Sequence, residues 1–143
     1  MKFWPSECKS GDMIRVRIGS IWHYGVYASD DEVIQFGPPP RENVRRPEVI
    51  TVCSTTMDEF AGGSIVETAQ FSLKEKLRRF PPNKTVAIAR SRIGEGGYDL
   101  LHNNCEHFAF ECLFGVKRSM QEEEARKQWN KYAKAHSTDN GKQ

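Results

Sequence analysis

The groups in this chain best suited to covalent or acid–base chemistry are four cysteines and four histidines. The cysteines are Cys8, Cys53, Cys105 and Cys112; the histidines are His23, His102, His107 and His136. A thiolate attacks carbonyl carbon, and a nearby imidazole can generate one by taking the thiol proton. Cys105 follows Asn103-Asn104. Asparagine is a strong N-cap, so a helix is expected to start beside Cys105 and run to Gly115 as its C-terminal cap. At such an end, unpaired N–H groups and the helix dipole favour a thiolate. Cys105, Phe108, Ala109, Cys112 and Leu113 follow the i, i+3, i+4, i+7, i+8 rule and share one face. Local sequence leaves two readings of Cys105, an activated nucleophile or a buried apolar filler. Cys112 lies further along, away from the helix end, and reads as core.

A metal site built from His102, Cys105, His107 and Cys112 is also conceivable. Cys105 and Cys112 would lie about 10 Å apart along the helix axis. That is too far to share a zinc ion bound at about 2.3 Å, and His107 points elsewhere. No metal and no cofactor is expected.

A cysteine nucleophile wants an imidazole base, and the base wants a third group to hold it. His136 lies in a charged tail, and His107 is off the nucleophile's face. His102 precedes the helix and stays open as a local contact. His23 lies mid-strand in Trp22-His23-Tyr24-Gly25-Val26-Tyr27. With Ser29-Asp30-Asp31 as a three-residue turn, Ala28 pairs with Glu32, Gly25 with Gln35 and His23 with Gly37. His23 and Gln35 then share a sheet face as diagonal neighbours, about 7 Å apart between backbones. Glycine opposite each leaves room for the ring, and a one-residue slip would separate the pair. The Gln35 carbonyl could accept from one ring nitrogen and leave the other free toward Cys105. A neutral amide does this in the Cys-His-Asn arrangement of papain-like proteases. The competing reading of Gln35 is an exposed polar strand residue.

The elements that must position these groups divide the chain in two. The first half reads as short strands. Met13 to Ile18 alternates, with Ile14, Val16 and Ile18 on one face and Arg15 and Arg17 on the other. Trp22 to Ala28 and Glu32 to Phe36 form the hairpin, and Gly37-Pro38-Pro39-Pro40 ends it. Residues 41 to 47 form a basic loop. Val49 to Cys53 and Ser64 to Thr68 also read as strands, the latter after a Gly62-Gly63 turn. In the second half, Ser72 and Glu75 form a capping box that opens a helix from Leu73 to about Phe80. Pro81-Pro82-Asn83 stops it. Thr85 to Ala89 reads as a short apolar strand, 94 to 97 as a glycine loop, and Tyr98 to Leu101 as a last short strand. Ser119 and Glu122 would cap a surface helix, and Ser137 to Gln143 is expected to be disordered.

A length of 143 residues suits one domain, here 1–118, followed by a charged helix or tail over 119–143. The net charge of +2, from 21 basic and 19 acidic residues, makes no general case for a nucleic-acid partner. No run approaches 18 apolar residues, so no transmembrane anchor is expected. The start, Met1 to Glu7, lacks a signal-peptide core. Without one, and without CxxC pairs, the cysteines are expected to be reduced and the chain cytoplasmic, peripheral to membranes at most.

At this point a family resemblance emerges. Asn104-Cys105-Glu106-His107-Phe108 resembles the NCEHF motif of the lecithin:retinol-acyltransferase-like proteins, within the NlpC-type papain-like superfamily. Gly11-Asp12-Met13-Ile14 followed by His23-Tyr24-Gly25-Val26-Tyr27 resembles that family's H-box. Val33-Ile34-Gln35-Phe36-Gly37-Pro38-Pro39 resembles its next strand. Gly62-Gly63 and Tyr98-Asp99-Leu100-Leu101 also fall where the family has similar residues. The similarity covers roughly residues 7 to 118. It implies an α+β permuted papain-like fold, with an antiparallel sheet packed against the nucleophile helix and the base strand preceding that helix. It implies Cys105 as nucleophile, His23 as base and a thioester acyl-enzyme formed from a phospholipid ester. Two departures stand out: Gln35 occupies the place of a second histidine, and the chain ends in charge where many relatives have a hydrophobic anchor.

Three functions compete: a lipid acyl hydrolase or transferase, an NlpC-type thiol peptidase or amidase, and a catalytically silent interaction module. Retention of Cys105, His23 and Gln35 argues against the silent module, and the NCEHF form favours lipid. Tyr24 and the basic-loop residues Arg41, Arg45 and Arg46 are the expected substrate contacts, the arginines toward an anionic head group.

Overall fold

A computed structural model describes residues 1–37, 50–99 and 104–116, together with residues 131, 133 and 134. The alternating run becomes strand β2 (Asp12–Ile18), and the aromatic run after it becomes β3 (Ile21–Ser29). β4 (Glu32–Gly37) returns beside β3. With β1 (Lys2–Trp4), β5 (Thr51–Thr55) and β6 (Glu67–Gln70) they form one sheet in the order β1-β6-β2-β3-β4-β5. Every pairing among these strands is antiparallel, so the architecture is α+β with an antiparallel sheet.

Because side chains alternate across a strand, β3 serves two layers. Tyr24 and Val26 join Met13, Ile34, Phe36 and Val52 in a core under helix α4 (Cys105–Phe114). Phe108, Ala109, Cys112 and Leu113 of α4 are fully buried there. Each large apolar side chain so buried contributes roughly 1.5–3 kcal/mol, which fixes α4 against the sheet. The opposite face carries Ile14, Val16 and Val33 and is covered by Phe60 of the short helix α1 (Met57–Ala61). His23 and Gln35 belong to this second face: His23 pairs with Val16, and Gln35 pairs with Gly25.

The capping box of Ser72 and Glu75 opens α2 (Leu73–Arg78) as read from the sequence. Thr85 to Ala89, expected as a strand, lies instead in helix α3 (Pro82–Ser91). Pro82 stands in its first turn, where a missing N–H costs nothing. Thr85, Val86 and Ala89 are buried at helical spacing, and a short apolar run fits either period. The turn between β3 and β4 is also shorter than expected. Ser29 pairs with Glu32, and the register shifts between Tyr27 and Ser29. Ala28 is therefore bulged out rather than paired with Glu32. The shift lies beyond Gly25↔Gln35, so the register at the candidate site is the expected one. The remaining strands begin later than expected, β5 at Thr51 and β6 at Glu67. The sequence reading missed β1 and α1. Residues 38–49, 100–103, 117–130, 132 and 135–143 lie outside the description. They include Arg41, Arg45, Arg46, His102, His136 and nearly all of the charged 119–143 segment.

Candidate active site

Each residue of the Asn104–Phe108 pentapeptide has a part in starting α4. The Asn104 Oδ1 accepts from the backbone N–H groups of Glu106 and His107 at 3.0 and 3.1 Å. The His107 Nδ1 accepts in return from the Asn104 N–H at 3.1 Å, completing a reciprocal cap. His107 thereby helps to cap the helix, as its expected place off the Cys105 face allows. Phe108 enters the core, where its ring meets Phe36 edge-on at 6.3 Å between centroids. Gly115 closes the helix at φ 74°, a conformation that favours glycine. Cys105 is the first helical residue, 8 % exposed.

Three backbone N–H groups, those of Tyr24, Glu106 and Cys105 itself, favour the Cys105 thiolate. They do not prevail. Burial is the largest influence, the Glu106 carboxylate adds to it, and the thiol is pushed up to about 11. The expectation of a ready thiolate at the helix end is therefore corrected: desolvation outweighs the amides, and resting Cys105 is a neutral thiol. Cys112 is pushed further, to about 12, mainly by burial.

The Tyr24 amide at Cys105 belongs to the peptide bond that joins Tyr24 to His23. The His23 imidazole leaves the strand on the other face, where its Nε2 and the Gln35 Oε1 are 2.7 Å apart. The diagonal pairing read from the sequence is thus a direct hydrogen bond. A Cβ on Gly37 would stand 3.0 Å from His23 Cε1, so glycine is what makes room for the ring. Phe60 lies over the imidazole at 5.3 Å between centroids. Desolvation lowers the His23 pKa, and the Gln35 bond only partly restores it. The structure thus brings Cys105 and His23 to one peptide of β3 from two sides of the sheet. Among the described residues the thiol and the imidazole share no hydrogen bond in this resting arrangement.

Tyr24 does not have the place expected of a substrate contact. Its side chain is 1 % exposed, edge-on to Phe3 at 5.9 Å. Burial, followed by the charge of nearby Glu106, raises the pKa of its hydroxyl, and nearby Arg15 partly offsets this. What Tyr24 offers the site is its backbone N–H. Arg41, Arg45 and Arg46 lie outside the described residues.

Three neighbours escaped the sequence reading. Glu106 is fully buried, and in the sequence it stands out only as part of a motif. Phe60 could have been found, because Thr56 and Glu59 show N-cap spacing and Thr56 does cap α1. Tyr98 packs edge-on against Phe36 at 5.2 Å. Its phenol is pushed up to about 12 by burial and by the Cys105 charge, which puts it near the thiol. Among the described residues, no group of three or more His, Cys, Asp or Glu side chains could hold a metal ion. No helix there is long and apolar enough to cross a membrane.

The sequence is similar to those of known proteins. The model of the family described as lecithin retinol acyltransferase matches residues 6–118. The lecithin retinol acyltransferase of Rattus norvegicus is 26% identical over 141 residues, which cover 83% of this chain and 61% of that protein. The chain thus spans about three fifths of that relative. Phospholipase A and acyltransferase 4 of Homo sapiens is 26% identical over 129 residues, covering 84% of this chain and 78% of that one. Phospholipase A and acyltransferase 3 of Homo sapiens is 29% identical over 125 residues, covering 80% and 76%. With the family model matching well over half of its length, the chain belongs to the lecithin retinol acyltransferase family.

Proposed function

We propose that this chain is a thiol-dependent acyltransferase and hydrolase of lipid acyl esters, with Cys105 as nucleophile, His23 as general base and Gln35 as the group that orients His23. The observation that carries the reading is the 2.7 Å His23–Gln35 bond, beside the peptide of β3 whose N–H favours the Cys105 thiolate. The relatives, named as acyltransferases and phospholipases A, suggest the substrate class.

In this mechanism the Gln35 carbonyl accepts from His23 Nε2–H and leaves the Nδ1 lone pair free. Nδ1 takes the Cys105 proton as sulfur attacks the ester carbonyl. The three amides around the sulfur favour the negative charge that develops on it. Collapse of the tetrahedral intermediate expels the lipid alkoxide, which takes the proton back from His23, and a Cys105 thioester remains. His23 then removes a proton from water, an amine or a lipid hydroxyl, which attacks the thioester; the C–S bond breaks, the acyl group leaves on the acceptor, and the Cys105 sulfur takes the proton back from His23. We read the fold as permuted papain-like, because the base on β3 precedes the nucleophile on α4. The four free thiols fit a reducing compartment such as the cytoplasm.

The test is intact-mass analysis after incubation with phosphatidylcholine vesicles. The chain should gain one fatty acyl group on Cys105, released by neutral hydroxylamine, and Cys105→Ala should gain none. Absence of any lipid adduct, with cleavage of amide or isopeptide substrates instead, would move the chain to the amidase class.

A further inference from the structure

Gln35 has two ends, and its second end meets a thiol. Cys53 of β5 stands opposite Gln35 in the β4–β5 register. The Gln35 Nε2 donates to Cys53 Sγ at 3.7 Å, and Cys53 Sγ donates to the Gly37 carbonyl at 3.9 Å. Gly37 is the residue that faces the His23 ring. These contacts run in one direction, from His23 Nε2–H to Gln35 Oε1, from Gln35 Nε2–H to Cys53 Sγ, and from Cys53 S–H to the Gly37 oxygen.

The direction has a chemical consequence. An amide placed the other way round would turn its NH2 to the imidazole. Nε2 would then have to accept, the ring proton would move to Nδ1, and Nδ1 could no longer serve as a base. The Gly37 carbonyl has no proton to give, so the thiol proton points at it. The sulfur lone pairs are left facing Gln35, where they can receive only an N–H. We propose that Cys53 is a positioning residue which, through Gln35, holds His23 as the Nε2–H tautomer and so makes Nδ1 its basic atom. This rests on the proposed role of His23 as base. Burial raises the Cys53 pKa, which keeps the thiol protonated at neutral pH as the chain of donors requires. Cys53 thereby acts without touching substrate.

The test is a long-range ¹H–¹⁵N correlation spectrum of the His23 ring in the full chain, above its pKa and without substrate. The wild type should show the Nε2–H tautomer. Cys53→Val, which has no polar atom, should shift the ring toward Nδ1–H or a mixture, and should lower kcat/KM on a lipid ester roughly tenfold, the worth of one hydrogen bond. Cys53→Ser keeps a donor and acceptor and should restore both readouts. Cys53→Ala serves the same purpose as the valine variant if valine fails to fold. An Nδ1–H ring in the wild type overturns the inference outright. So does a ring unchanged in folded Cys53→Val or Cys53→Ala. The spectrum needs no turnover, so a chain that shows the Cys53-dependent tautomer but acylates on no lipid would retain this inference and lose the proposed function.

Discussion

Burial moves the Cys105 and His23 pKa values apart, and each shift favours the uncharged form. The thiol goes up to about 11, and the imidazole goes below its ordinary 6.5. The resting pair is therefore thiol and neutral imidazole, not a thiolate–imidazolium ion pair, and the proton must move as substrate is attacked. Two outcomes check this. The thiolate absorbance near 240 nm that is lost in Cys105→Ser should not develop below about pH 9, two units under the raised pKa. The acid limb of kcat/KM should fall below pH 6.5, because His23 must be unprotonated to act and its pKa is lowered. A thiolate signal at pH 6 would contradict the neutral pair. Gly37 supplies a second test. Its φ lies outside the left-handed region, so Gly37→Ala is tolerated by the backbone, but the new Cβ would stand 3.0 Å from His23 Cε1. Displacing the ring by a few tenths of an ångström should lower kcat/KM roughly tenfold to a hundredfold with little change in Tm. Unchanged kinetics would mean that the ring position is not critical. This contact was legible in the sequence, since the hairpin register placed glycine opposite His23. The neutral state of Cys105 was not, because helix-end chemistry is local and desolvation depends on everything packed around the thiol.

The elements most clearly written in the sequence are those with a start, a period and a stop within a few residues. α4 has Asn104, a buried face and Gly115, and α2 has its capping box. Both formed where read. The β3–β4 pairing was legible at Gly25↔Gln35 despite the bulge at Ala28, because a bulge beyond that pair does not change which face Gln35 takes. β1 has three residues and one buried side chain, Phe3, too short to show a period. α3 reads as a strand in the sequence because its buried run suits one when the preceding prolines are taken only as a stop signal. The dependence of α4 on its cap can be measured. Asn104→Ala removes the acceptor of two backbone N–H groups and should cost about 1 kcal/mol. For a chain of this size that lowers Tm by about 4 °C. Because the cap also fixes the turn that carries Cys105, activity should fall more than stability does. Asn104→Asp, which keeps the oxygen, should recover most of the Tm. An alanine variant with wild-type Tm would show that tertiary packing alone holds the helix start.

At the scale of the whole molecule, the sheet divides the site. The proposed nucleophile comes from the α4 side, the proposed base and its amide partner from the α1 side, and one peptide of β3 lies between them. A sequence can show which face a residue takes, but not which helix will cover that face, so this division was not legible. Nor was the strand order, in which β6 sits between β1 and β2 and brings Ala69 beside Phe3. Such contacts depend on chain closure over long separations and leave no periodic trace. The covered position of His23 should also appear in the stability of the entire fold. Its folded pKa lies below the unfolded value of 6.5, so the unfolded chain binds the proton more readily. The stability that comes from keeping the ring neutral is complete above pH 6.5. It is lost as the pH falls from there through the lowered folded value. Glu32 and Glu75, whose pKa values are held below 4.5 by Arg90 and by the Ser72 cap with the N-terminal amine, contribute losses of the same sign only at lower pH. Asp12, raised above 3.8 chiefly by burial, acts in the opposite direction and also at lower pH. Between pH 6.5 and 5 the His23 contribution can therefore be isolated with His23→Gln, which keeps a polar partner for Gln35 but does not titrate. Urea midpoints measured across that interval should fall more steeply for the wild type than for the variant. Parallel slopes would show that His23 accepts its proton in the folded state as easily as in the unfolded one. The neutral-imidazole step of the proposed mechanism would then lose its physical basis.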